Sequence, residues 1–165
     1  MKTIILVVVL FLAGCTASDM LYTTKTANAM IDLQLEYGRS SMVLDANLDN
    51  LPPNAKQELS AIKDRADQLS AEVRGAWRNG QLTYDRLDVF YKQGDSIYSD
   101  ALKVVGANWD HLTPQSQLAV KQIQILAAQV DASYKQARSE QESSQLLEAG
   151  VEMATLALRL GLVLL

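Results

Sequence analysis

Few side chains in this sequence could do covalent or acid–base chemistry. Cys15 is the only cysteine and His111 the only histidine. A lone thiol forms no disulfide within the chain. One histidine and one cysteine do not complete the four-ligand set of a zinc site. His111 follows Asp110 in a segment that reads as a turn, where capping and solvent contact are the expected roles. Ser60-Ala61-Ile62-Lys63 matches the S-x-x-K pattern of serine enzymes that interact with penicillin. Ile62, however, falls on an apolar helix seam, and the partner motifs Ser-Asp-Asn and Lys-Thr-Gly are absent. Neither H-E-x-x-H nor G-x-S-x-G occurs. The chain therefore reads as non-enzymatic, with no catalytic, cofactor-binding or metal residue assigned.

Cys15 stands in a more specific setting. Lys2 is followed by an unbroken apolar run from Ile4 to Leu12, then Ala13-Gly14-Cys15. A basic start and about ten apolar residues are the layout of a secretory signal. The run is too short for a bilayer, which takes roughly 20 apolar residues. Leu12-Ala13-Gly14-Cys15 resembles the lipobox of bacterial lipoproteins. That resemblance implies a diacylglycerol on the Cys15 thiol, further acylation such as palmitate, cleavage before Cys15 and no other cofactor. Thr16, being other than Asp, implies by the same resemblance an outer-membrane destination facing the periplasm. Several acyl chains on one residue anchor stably, because each buried CH₂ contributes about 0.8 kcal/mol.

Composition limits the remaining classes. The net charge is −4, and loss of Lys2 with the signal makes the mature chain one unit more negative. Such a chain lacks the electrostatic footprint for nucleic acid. No Lys/Arg cluster would grip anionic headgroups, so the lipid on Cys15 must hold the protein at the membrane. Gly and Pro are scarce, at 8 and 3, while Ala, Gln, Leu and Lys abound, as in an all-α protein.

The elements follow from spacing. A first helix runs to about Leu48, with Ala27, Ile31, Leu35, Gly38 and Met42 as its expected inner stripe. A second runs from Pro53 to Arg78, with Leu59, Ile62, Ala66, Leu69, Val73 and Ala76 stepping by 3 and 4. Arg78-Asn79-Gly80-Gln81 is a turn, Gly80 suiting a left-handed cap. Thr83 caps a third helix with the seam Leu87, Phe90, Gly94, Ile97, Ala101, Val104. Thr113-Pro114 opens a fourth.

An internal repeat relates two of these turns. Val43, Ala46, Asn47, Asp49, Leu51 and Pro53 recur as Val104, Ala107, Asn108, Asp110, Leu112 and Pro114. Ordinary composition gives roughly one identity in such a window. The seam after it maps too, placing Val120, Ile123, Ala127, Val130 and Tyr134 in the core of the fourth helix. Two hairpins of one build, each turning at Ala-Asn-x-Asp-x-Leu-x-Pro, are expected.

Tyr84, Tyr91 and Tyr98 repeat every seven residues on one helix face. Such a stripe either contacts a partner or flanks the core with its hydroxyls at the water edge. Trp77 and Trp109 sit near helix ends and close them, Trp109 being the better partner candidate. After the polar run Ser139–Ser144, Gln145–Leu165 carries only Glu148, Glu152 and Arg159 as charges, within an arc of about 60° shared with Thr155. A helix so apolar must pack on the bundle, pair with copies of itself or enter a membrane. Its length of about 31 Å is a bare span, and each central charge costs about 2.5–3.5 kcal/mol on insertion scales. Association with a partner or a second copy is the expectation, with Arg159 of one copy meeting Glu152 of another. Deleting Gln145–Leu165 should on that reading leave a folded monomer.

The expected organisation is a lipoprotein signal at 1–14, a lipidated tether at 15–26, a bundle at 27–138 (hairpins 27–79 and 83–138) and an apolar C-terminal helix at 139–165. The fold class is all-α, an antiparallel four-helix bundle of two similar hairpins plus that last helix. The expected function is a structural or adaptor role through helix–helix contacts. An alternative is a two-membrane linker: the lipobox and apolar tail are similar to the two ends of single-chain phage spanins. A ligand-binding or hydrolytic envelope lipoprotein ranks below both, since no acid/base or metal constellation is visible.

Overall fold

A computed structural model describes residues 24–165. The signal segment, Cys15 and nearly all of the tether lie outside the described residues. Five helices follow one another: α1 (Thr24–Asn47), α2 (Pro53–Arg78), α3 (Tyr84–Ala107), α4 (Pro114–Glu140) and α5 (Ser143–Leu162). No strand occurs among the described residues, so the chain is an all-helical bundle.

The helix ends are set by the residues the sequence marks. Pro53 and Pro114 open α2 and α4, where a missing N–H costs nothing. Thr83 Oγ1 accepts from Arg86 N at 3.3 Å, and Thr113 Oγ1 accepts from Ser116 N at 3.1 Å. Gly80 has φ 65°, a left-handed backbone that glycine adopts without a Cβ clash. The repeated turns are built alike. Asn47 Nδ2 donates to Val43 O at 2.8 Å, and Asn108 Nδ2 donates to Val104 O at 2.8 Å. A short 3-10 turn follows each, at Leu48–Asn50 and at Trp109–His111. Asn54 Nδ2 donates to Asn108 Oδ1 at 3.1 Å, tying the two turns at one end of the bundle.

Every seam residue expected on α2 and α3 is buried, as are Val120, Ile123, Ala127 and Val130 on α4. Helix α1 differs from expectation. Its inner face is Met30, Tyr37 and Leu44, while Ile31, Leu35 and Met42 are 59%, 57% and 66% exposed. At 100° per residue these sets lie on nearly opposite sides of the helix. Bonds to α2 go with this rotation: the Tyr37 hydroxyl donates to Asp67 Oδ1 at 2.5 Å, Ser41 Oγ donates to the same oxygen at 3.3 Å, and Gln34 Oε1 accepts from Ser70 and Arg74.

Helix α5 packs within its own chain. It touches all four other helices. Met153 through Leu158 are all buried, so cover comes from every side except the line of Glu148, Glu152 and Arg159. An apolar surface of about 300° needs several neighbours, and the chain supplies them itself. Each fully buried Leu contributes about 1.5–3 kcal/mol, and Leu146, Leu147, Leu156, Leu158 and Leu160 are all of this kind. Gly94 of α3 and Gly150 of α5 make the crossing close. A methyl group at Gly94 would collide with the Gly150 carbonyl, and one at Gly150 would lie 3.2 Å from Tyr91 N. Gly161 likewise leaves room for Leu44 and Leu59. Among the described residues no helix is long and apolar enough to cross a membrane.

Candidate functional site

Helix α4 is held mainly through α5, and it makes no extended backbone contact with either α3 or α1. This leaves a seam on each side of it. The two are built differently.

The α3/α4 seam is closed by side chains. Tyr91 of α3 and Tyr134 of α4 stack face to face, 3.6 Å between ring centres and 5° from parallel. Tyr91 Oη donates to Asp131 of α4 at 2.8 Å, and Tyr134 Oη donates to Asp88 of α3. Each helix thus carries an Asp-x-x-Tyr unit, and the two units bond reciprocally. Each carboxylate also has a cation: Lys92 lies 2.7 Å from Asp88, and Lys135 lies 2.6 Å from Asp131. The bond from Lys92, with that from Tyr134, holds Asp88 below the usual carboxylate range. Lys135 and Tyr91 do the same for Asp131. Burial and then the aspartate bond push the Tyr134 hydroxyl up to about 12, so it remains a donor.

The α1/α4 seam is open. Its floor is the charged line of α5. Glu148 and Glu152 stand beside Leu126, Gln129 and Ser133 of α4 around a depression of about 420 Å³. Arg159 stands beside Leu35, Glu36 and Arg39 of α1 around another of about 480 Å³. Arg159 pairs with Glu36. Thr155, the fourth polar residue of the line, is buried and donates to Val151 O at 3.0 Å. Glu152 is half-buried and has neither a hydrogen bond nor an ion pair among the described residues. Burial is the main cause that raises its carboxyl above the ordinary 4.5; Glu36 and Glu148 add to this and Arg159 opposes it. Leu35 on the α1 side and Leu126 on the α4 side are exposed apolar rims.

The apolar exposure is concentrated on these two helices. Ile31, Leu35, Met42 and Val43 lie on α1, and Leu118, Ile125 and Leu126 on α4, whereas α2 has no large exposed hydrophobic residue and α3 only Val89. The α2/α3 side has a depression of its own, about 380 Å³, where Leu69, Val89 and Ile97 stand among Arg65, Glu72 and Lys92. Arg65 donates to Asp100 at 2.6 Å and to Ser96 at 3.1 Å, and Lys103 donates to Asp100 at 2.8 Å.

The residues singled out from sequence fall in three groups. Cys15 lies outside the described residues. Tyr91 and Tyr98 are buried and Tyr84 half-buried against the core. Trp109 is half-buried at the bundle end, its carbonyl accepting from Gln117 at 3.4 Å. Glu152 and Arg159 do reach the surface, and within the chain Arg159 pairs with Glu36. Lys63 of the S-x-x-K match is committed to Asp67 at 2.6 Å and Asp45 at 3.1 Å. His111 is exposed in its turn. The open seam itself escaped sequence reading, because no local signal says which two helices flank the α5 line. The reciprocal latch had a signal, the spacing shared by Asp88/Tyr91 and Asp131/Tyr134.

No family model, no curated protein and no solved structure matches this chain.

Proposed function

We propose that the chain is a lipid-anchored envelope lipoprotein, held by Cys15 at the outer membrane and facing the periplasm, with a structural or adaptor role rather than an enzymatic one. Its two hairpins run antiparallel and close around α5, and the α1/α4 seam is where it engages another helix. One observation carries this. The chain fills the seam on one side of α4 with its own stacked tyrosines and leaves the seam on the other side open between exposed apolar rims. A helix laid into a groove by its apolar face is a recurrent recognition mode. The anchor rests on the lipobox resemblance.

The two-membrane alternative needs an α5 free to enter a second bilayer, and no observation favours it over an α5 that serves as core. The test places a photoreactive residue at Leu35, Leu126 or Val89 in cells. Discrete adducts are expected from Leu35 and Leu126 and not from Val89. Equal labelling at all three positions refutes the docking face. Labelled palmitate should enter the wild type and not Cys15→Ser; incorporation into the variant refutes the anchor.

A further inference from the structure

We propose that the helix received by the open seam is α4 of a second copy of this chain, its Lys121 meeting Glu152. This rests on the docking reading above and adds the identity of the occupant. The reasoning starts from Glu152. At the closed seam each carboxylate faces a hydroxyl and a cation of its own chain. Glu152, equally at a seam and half-buried, has neither in contact: Arg159 acts on it from a distance while pairing with Glu36. What it lacks is a cation in contact, carried on an apolar surface, because exposed Leu126 stands beside it.

The chain presents such a surface once more. On α4, Leu118 and Ile125 are 57% and 59% exposed and stand two turns apart on the side opposite Val120, Ile123 and Ala127. Lys121 is exposed between them and has no hydrogen bond or ion pair among the described residues. The match is of charge as well as shape. The seam is acidic, with Asp32, Glu36, Glu148 and Glu152 against Arg39 and Arg159. Helix α4 has no acidic residue from Pro114 to Val130. The outer stripe of α1 is the other apolar candidate, but it would bring Asp32 and Glu36 toward an acidic floor, and like charges in juxtaposition are costly. Because α4 both borders the seam and fills it, two copies exchanging α4 reciprocally make a self-complementary, closed pair.

The experiment uses the full chain, purified in detergent, as an equal mixture of ordinary and nitrogen-15-labelled protein. A carbodiimide joins an amine to a carboxylate only where the two are in contact. The expected result is a Lys121–Glu152 peptide of mixed label, together with a dimer in sedimentation. Glu152→Lys and Lys121→Glu should each weaken the dimer at least about tenfold, and the two together should restore it. Thermal unfolding checks that all three variants fold; Glu152→Gln and Lys121→Gln, which add no charge, serve for any that does not and should also weaken the dimer. A monomer in sedimentation, a link of single label only, or a dimer indifferent to both substitutions overturns the proposal. Should the chain be monomeric while Leu35 and Leu126 still give discrete adducts in cells, the second copy is wrong and the docking reading stands. If those adducts are missing as well, both fall.

Discussion

The two sides of α4 pose the same physical problem and meet it in opposite ways. On each side a neighbouring helix stands too far off for backbone contact. Toward α3 the gap is spanned by two stacked rings, two hydroxyl donors and two paired carboxylates. Toward α1 it is bordered by exposed Leu35 and Leu126 and floored by Glu152, which has no ion pair. A chain able to build the first seam is under no chemical constraint to leave the second unbuilt. The difference separates a joint that holds the fold together from a surface left for something else.

The strongest disruption removes the floor common to both. Deleting Gln145–Leu165 takes away the helix on which the other four rest, and a two-state loss of about 5–15 kcal/mol is the whole stability of such a domain. The expected outcome is a chain without a cooperative thermal transition by circular dichroism. A sharp transition would mean that the outer helices form a core of their own, which returns α5 to the role of an appendage.

Opening the closed seam comes next. Tyr134→Ala should cost about 2–4 kcal/mol through lost ring burial and the lost bond to Asp88. Combined with Tyr91→Ala, a coupling of about 0.5–1.5 kcal/mol is expected from the stacked pair, read from urea midpoints in a double-mutant cycle. Additive effects would show that the rings do not act together.

Acid and base should also tell the seams apart. Asp88 is held below its ordinary 3.8, so its contribution is present above that value and is lost as pH falls toward its folded value. Asp88→Asn should therefore be less stable than the wild type at neutral pH, with the deficit shrinking in acid. Glu152 is raised above 4.5, so its contribution is complete below that value and is lost as pH rises through its folded value. Glu152→Gln should be more stable than the wild type at neutral pH, with the gain vanishing below 4.5. Midpoints measured across pH 3–8 check both signs, and a shared sign would erase the electrical contrast between the seams.

The smallest effect is expected at the rim. Leu126→Glu should change stability by no more than about 0.5 kcal/mol, as for an exposed position without special contacts, yet abolish adduct formation at Leu35. A large loss of stability would place Leu126 inside the fold instead of at its edge.

Sequence spacing read three helices well and two poorly, for definite reasons. On α2, α3 and α4 one stripe stepping by 3 and 4 is more apolar than any other, and it is the stripe that turns inward. On α1 two stripes compete. Ile31, Leu35 and Met42 are as apolar as Met30, Tyr37 and Leu44, and the choice goes with contacts far off in sequence, Tyr37 and Ser41 to Asp67 and Gln34 to Ser70 and Arg74. For α5 the sequence stated correctly that nearly every side must be covered. It held nothing on who does the covering, since a membrane, a copy and the chain's own helices satisfy an apolar surface equally. The shared Asn47 and Asn108 turns were legible because a turn is made of neighbours in sequence. The open seam was not, because it is defined by what two distant helices fail to do.

The placement of α5 has a temporal side. A ribosome adds about 5–20 residues each second from the N-terminus, and residues 143–162, the shared interior, emerge only after the four helices that pack on them. The preceding helices have amphipathic faces but no common surface to close on until then. Domain completion therefore waits for α5, and a nascent chain stays open until that helix has emerged. Any product that stops before α5, by premature termination or by nicking near Gln141, lacks its centre and exposes the faces that α5 would cover.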